Sequence, residues 1–388
     1  MKATSLVLAA VFVAFTAAPA RAQLGGLGKI KSIGDKAVDT KSKVDELNVT
    51  EQEERQLGEQ VSLQLRNRFG VMQDEKVTKY VTLVGAVLAQ ASAKPNLDWK
   101  FIVLDTDGVN AYAAPGGFVH VTRGLLGLMK NEAELAGVLG HELTHVTEKH
   151  TVHAIQQSKT ISMGADAAGG TGGVRSQLIA RMAGAAFNKV FEGEFSQKDE
   201  NESDRIGTQL ANKVGYAPTG IADVLNKIEA RNGSRQDRNG MFASHPAIKE
   251  RIANNEKVIK AEKLNATATA EARYRQNISF DAKPVTEIAT LDVDGAAGLA
   301  GGDKKKGDDD KKADEAKKAD EPKKKSGFGS ALGSITGNKQ AASTQQTASA
   351  GARGGIPDRD AKGGPNTNAL NVKVSAAEIE AFKKGIVA

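Results

Sequence analysis

Five consecutive residues, His141-Glu142-Leu143-Thr144-His145, carry the strongest chemical signal in the chain. On a helix, residues i and i+4 share a face, so His141 and His145 can aim two imidazoles at one point. Neutral imidazole is a ligand for Zn²⁺. Glu142, at the edge of the same face, is a carboxylate placed to take a proton from a water at such an ion. The HExxH pattern is rare by chance in a chain with six histidines, namely His120, His141, His145, His150, His153 and His245. Two imidazoles with a carboxylate favour zinc over other divalent ions, at one ion per chain.

A catalytic zinc usually takes three protein ligands and keeps one position open. A metzincin would place Gly seven and His ten residues after the first histidine, but those positions hold Glu148 and Thr151. His150 and His153 therefore read as solvated residues at a helix end. Glu200, in Glu200-Asn201-Glu202-Ser203-Asp204, is the better third ligand. Glu200 and Asp204 share a helix face, so one carboxylate can bind the ion while the other holds a ligand imidazole's free N–H. On spacing alone Glu192, Glu194 and Glu202 remain rivals, although Glu202 lies about 200° round the helix from Glu200. His245, in Ser244-His245-Pro246, reads as a loop histidine.

Helices must position these groups, and the pattern supplies them. Thr50 with Glu53 forms a capping box, followed by Leu57, Val61, Leu65 and Phe69 at helical spacing and Gly70 as a stop. A second helix is predicted over 77–91. Residues 99–104 read as a strand, and so do 117–122 after the turn signal Ala114-Pro115-Gly116. A short helix follows from Arg123, and a longer amphipathic one over 131–151 carries the histidine pair facing a cleft. Residues 164–173 are glycine-rich and read as a mobile loop, able to serve as a lid or a simple connector. Helices are predicted again over 175–191, 198–213, 218–230 and 246–260. The fold class expected is α+β, a mainly helical zincin-like core with a small sheet beside the HExxH helix.

The ends read differently. Lys2, the thirteen apolar-rich residues Leu6 to Ala18, and Ala20-Arg21-Ala22 form a signal peptide with cleavage after Ala22. Residues 23–49 read as a linker and 50–285 as the domain that carries the HExxH helix. Residues 286–372 form a low-complexity tail that is expected to be disordered. Within it, 303–325 carry ten Lys and eight Asp/Glu, a polyampholyte that should stay solvated. Residues 373–388 form a short C-terminal helix: Ser375 and Glu378 cap it, Ile379, Phe382 and Ile386 form its stripe, and it must dock or fray.

Composition closes off several classes. The absence of cysteine in 388 residues excludes a disulfide scaffold, an iron–sulfur site, a lipoprotein anchor and a thiol nucleophile. The charge of +6, from 53 basic and 47 acidic residues, is too small an excess for a nucleic-acid binder. No stretch after the signal peptide is long and apolar enough to span a membrane. The mature protein is expected in the periplasm or secreted, with an envelope partner conceivable through the tail.

Four separated segments resemble the HtpX-type and CAAX-prenyl-protease-type zinc metallopeptidases, a gluzincin family with soluble periplasmic members. They are Asn110-Ala111-Tyr112-Ala113-Ala114-Pro115-Gly116-Gly117, Val121 to Leu126, Glu134 to Glu142, and Glu200 to Gly207. The similarity covers roughly 50–262, and Ser203 departs from the family's usual Ala in E-x-x-A-D. The resemblance implies Glu200 as third ligand and Asp204 behind a ligand imidazole. It also implies a functional His245, as fourth ligand blocking the water position or as oxyanion donor. It further implies that Gly117, Phe118, Val119, His120 and Val121 form an edge strand pairing with extended substrate; from periodicity alone His120 is a plain strand residue. The implied activity is hydrolysis of peptide bonds in unfolded or misassembled exported proteins, with Glu142 as base. The competing reading is a latent or non-catalytic, zinc-containing client binder.

Overall fold

The computed structural model describes residues 49–157, 174–191, 195–232, 245, 247–284, 290–293, 343–346 and 366–386, all within the unit Val49–Ala388. The segments read above as a signal peptide, most of the expected linker, the glycine-rich stretch 164–173, the charged run 303–325, Ser244 and Pro246 lie outside the described residues.

Helix α1, Glu51–Phe69, starts at the expected capping box: Thr50 Oγ1 accepts from the Glu53 amide at 3.3 Å, and the Glu53 carboxylate accepts from the Thr50 amide at 2.9 Å. Its stripe Leu57, Val61, Leu65 and Phe69 is buried, and Gly70 ends it at φ 75°. Helix α2, Glu75–Ala91, is capped by Asp74 and buries Val77, Val81, Val84 and Leu88. Strands β1 (Lys100–Leu104), β2 (Ala111–Ala114) and β3 (Phe118–Thr122) follow, with one 3₁₀ turn, Pro115–Gly117, between the last two.

The sheet order is β1-β3-β2, with β1 parallel and β2 antiparallel to β3. Ile102 and Tyr112 both stand opposite His120, and Val103 and Ala111 both stand opposite Val121. This corrects the expectation for Gly117 to Val121. Phe118 to Val121 lie in the central strand, paired on both sides and wholly buried, and Gly117 lies in the preceding turn. An extended chain cannot add to a strand whose two backbone edges are taken. The edge strand that packs on the HExxH helix is β2, whose motif reads as a turn signal in the sequence.

Helix α3, Arg123–Leu128, leads into α4, Glu132–Thr147, the helix of the histidine pair. Asn131 caps α4 by accepting from the Glu134 amide at 3.0 Å. Every residue from Glu132 to Val146 is buried, so α4 is a central core helix and both histidines sit inside the described structure. The chain breaks at Lys149, which adopts φ 55°, and α5, His150–Gln157, starts a new direction. The single helix expected over 131–151 is therefore two.

Helices α6 (Val174–Phe191), α7 (Gln197–Lys213), α8 (Gly220–Asn232), α9 (Ile248–Ala261) and α10 (Glu271–Asn277) follow. Of these, α7 and α8 pack directly on α4, α9 packs on α7 and α8, and α6 packs on α1, β2 and α5. Strands β4 (Thr290–Val293) and β5 (Ser343–Gln346) pair antiparallel. Helix α11, Ala376–Lys384, has the predicted Ser375–Glu378 capping box and docks on α2. One apolar core joins α2, the sheet, α4, α8 and Ile386 near the C-terminus. The mainly helical α+β class is borne out. Among the described residues no helix is long and apolar enough to cross a membrane.

Candidate metal centre

The histidine pair comes to α7 through a close helix crossing. Gly140 on α4 faces Gly207 on α7, so the two backbones approach without side chains between them. One and two turns before Gly207, the same α7 face carries Asp204 and Glu200. Glu200, His141, Glu142 and His245 are each at most 2% exposed.

His141, His145, Glu200 and His245 each offer one ligand atom, all within 4.8 Å of one another. His145 Nε2 lies 3.0 Å from His141 Nε2, and His141 Nε2 lies 3.3 Å from His245 Nδ1. Glu200 Oε1 lies 2.9 Å from His245 Nδ1 and 3.5 Å from His145 Nε2. Donors held about 2.0–2.1 Å from one tetrahedral ion would be separated by about 3.3–3.4 Å, so the set matches that spacing.

Tautomers support the fit. His141 Nδ1 donates to Asp204 Oδ1 at 2.8 Å, which leaves Nε2 with a lone pair. His145 Nδ1 meets His150 Nδ1 at 3.0 Å; with His145 as donor, its Nε2 also presents a lone pair. Two facing lone pairs 3.0 Å apart repel unless a cation lies between them. Burial holds the His145 imidazole well below its ordinary pKa, in the neutral form that binds metals.

Charge is balanced within the cluster. Burial works against the Glu200 carboxylate, but the His245 and Arg251 charges hold its pKa well below the usual range. Burial likewise opposes His245, while Glu200 and then Glu142 raise it. Glu142 differs. Burial raises its carboxyl, and among the described residues neither of its oxygens has a hydrogen-bond partner. Its Oε1 lies 3.7 Å from His245 Nε2. A buried carboxylate with no hydrogen-bond partner among the described residues, at the rim of a donor cluster, is placed for a guest such as water rather than for the fold.

Two residues here escape sequence reasoning. Arg251 on α9 is fully buried and grips Asp204 with both arms, Nε to Oδ2 and Nη2 to Oδ1, each at 2.7 Å. Its Nη1 pairs with Glu200 Oε2 at 2.9 Å. The available signal was an arginine sharing a helical stripe with Ile248 and Asn255. His150, expected at a solvated helix end, is 4% exposed because the turn at Lys149 folds it back under His145. His153 is exposed as expected. Glu202 points away from the donors, towards His150 Nε2 at 3.4 Å. His120 on β3 is buried between Ser62 Oγ at 2.9 Å and the Tyr112 carbonyl at 3.3 Å, remote in role from the cluster.

Residues 75–259 match the model of Peptidase family M48. The chain is 29% identical over 211 residues to the beta-barrel assembly-enhancing protease of Escherichia coli (strain K12), covering 52% of this chain and 43% of that protein. It is 35% identical over 152 residues to Metalloprotease YcaL of the same organism, covering 39% and 59%. It is 32% identical over 143 residues to Metalloprotease LoiP, also of that organism, covering 37% and 56%. The chain thus spans less than half the length of the first of these relatives. The resemblance read from the four sequence segments is borne out, and the matched stretch contains all four clustered donors. Over that stretch, the chain is similar to peptidase family M48.

Proposed function

We propose that the protein is a zinc-dependent metalloendopeptidase, with His141, His145 and Glu200 holding one Zn²⁺. The observation that carries this reading is the convergence of three donors from α4 and α7 beside the Glu142 carboxylate, whose oxygens have no hydrogen-bond partner among the described residues. When bound, zinc supplies Lewis acidity that polarises the scissile carbonyl and acidifies the attacking water. Glu142 takes a proton from that water on a carboxylate oxygen and delivers it to the leaving amine nitrogen. Burial raises the pKa of this carboxyl, which makes its carboxylate a stronger base for that shuttle. Asp204 fixes the His141 tautomer by accepting from Nδ1, and Arg251 fixes Asp204. His245 sits as a fourth donor in this arrangement; moved aside, the same imidazole can donate to the developing oxyanion.

The substrate class we propose is extended polypeptide: unfolded or misassembled exported protein, handled in periplasmic quality control after signal-peptide cleavage. The relative named for enhancing β-barrel assembly supports the envelope setting. Substrate strand addition is assigned to β2 rather than β3, because β2 is the sheet edge on the metal helix. In this structure α6 packs on β2, with Phe191 stacked on Tyr112 at a centroid distance of 6.1 Å.

The test is cleavage of an unfolded casein-like substrate by wild type, Glu142→Gln and His245→Ala, with zinc measured on each. Activity in wild type that chelator and Glu142→Gln abolish, with about one zinc retained, supports the reading. Activity in His245→Ala alone makes the enzyme latent. Zinc binding without cleavage in any of them favours the second reading, a zinc-containing client binder, which the fourth donor His245 makes chemically coherent.

A further inference from the structure

The last described segment, 366–386, makes contacts of two kinds with the core. The backbone carbonyls of Asn366, Thr367 and Asn368 accept in turn from the Val71 amide at 2.6 Å, Arg66 Nη1 at 2.8 Å and Gln73 Nε2 at 3.0 Å. Then α11 lies on α2. Glu378 pairs with Lys79 at 2.7 Å, Phe382 packs edge-on to Tyr80 with centroids 6.1 Å apart, and Ile386 is 4% exposed in the core. A nine-residue helix does not hold itself together in water, so its order comes from this seat.

Arg273 on α10 closes the seat. Its guanidinium stands 4.1 Å from the Phe382 ring centroid, and Nη1 donates to the Phe382 carbonyl at 3.1 Å. The same guanidinium donates from Nε and Nη2 to Glu132, both at 2.5 Å. Glu132 is fully buried, also accepts from the Tyr80 and Tyr216 hydroxyls at 2.9 Å, and is the first residue of the metal helix. A contact chain thus runs from Phe382 through Arg273 to the start of α4.

We infer that the surface formed by residues 66–73, α2 and α10 is a peptide-binding surface whose ligand is the chain's own segment 366–386, and that its occupancy braces the N-terminal turn of the metal helix. The recognition chemistry is that of a bound peptide: three successive carbonyls read by donors, a capped helix, one aromatic anchor and the buried Ile386. Covalent connection supplies a high effective concentration, so the seat stays filled even at modest intrinsic affinity. Cutting or capturing the segment releases one face of Arg273 and loosens Glu132. The inference does not depend on peptidase activity.

The test keeps the full chain and inserts a site-specific protease sequence within 347–365, after β5, so that the β4–β5 pairing stays with the core. After cutting under native conditions, the C-terminal fragment is followed by size exclusion, and amide exchange is read over 132–136. The expected result is co-elution of fragment and core. Phe382→Ala with Ile386→Ser should weaken retention by about tenfold or more, and exchange over 132–136 should rise when the fragment leaves. Immediate separation of the wild-type fragment overturns the inference. So does retention that ignores both substitutions, exchange over 132–136 that is the same with and without the fragment, or uncut protein running as a dimer that shares segments between copies. The wild-type cut alone keeps the test decisive if the double variant fails to fold.

Discussion

Gly140 and Gly207 touch where the two ligand-bearing helices cross: a Cβ on Gly207 would lie 2.6 Å from the His141 amide nitrogen, and one on Gly140 would lie 2.8 Å from the Gly207 carbonyl oxygen. The obstacles are backbone atoms and cannot rotate away. Gly207→Ala should therefore push α7 off α4 and withdraw Glu200 and Asp204 from the histidines. We expect a stability loss of about 1–3 kcal/mol and a larger relative loss of zinc affinity, about 10- to 100-fold. Zinc titration of the purified variant checks this; wild-type affinity would show that the crossing does not set the donor spacing.

Arg251 neutralises two buried carboxylates, Asp204 and Glu200. Arg251→Met leaves both without their guanidinium and should cost about 3–5 kcal/mol in the metal-free protein. Arg251→Lys keeps the charge but loses the two-armed grip, and should fall between the two. Thermal unfolding with chelator present ranks the three; equal midpoints would rule out a supporting role for the arginine.

Glu142→Gln keeps the shape of the side chain and removes its proton acceptor. Because Glu142 lies outside the set of clustered donors, bound zinc should be unchanged while kcat falls by about 10²- to 10⁴-fold or more. Loss of zinc in this variant would place Glu142 among the ligands instead.

His120 gives a pH dependence with a definite sign. Burial lowers its folded pKa to about 3, while an unfolded chain titrates near 6.5. Between those values the unfolded state binds the extra proton, so the stabilising contribution is complete above about 6.5 and is lost as pH falls towards 3, at about 1.4 kcal/mol per unit. His145 and His150 shift in the same direction, so the comparison must be with His120→Gln, which does not titrate. Denaturation midpoints at pH 7 and 5 should diverge less in the variant. Identical pH slopes would mean that His120 titrates alike in the folded and unfolded chain.

The elements that carry local signals were legible. Thr50 and Glu53, Ser375 and Glu378, and the Leu57–Phe69 stripe encode their helices within a few residues, since caps and 3.6-residue periodicity are short-range effects. The four family segments likewise marked the metal helix and the acidic helix. The break at Lys149 was not legible, because a left-handed lysine leaves no periodic trace. Nor was β2, which has only four residues, three of them alanines, next to turn residues.

By itself, the sequence determined which residue types can bind an ion, because HExxH spacing on a helix is a property of the helix. It also determined that Glu200 and Asp204 share a face. Tertiary structure alone decided what completes the site. His245 arrives from 45 residues beyond Glu200, and Arg251 is buried only because α9 packs on α7. His150 reaches His145 through a turn rather than a helix. The centrality of β3 depends on which strands flank it, and the role of the C-terminal helix depends on Arg273, more than 100 residues away. Local rules act over a few bonds, whereas charge compensation, sheet edges and docking are settled only where distant segments meet.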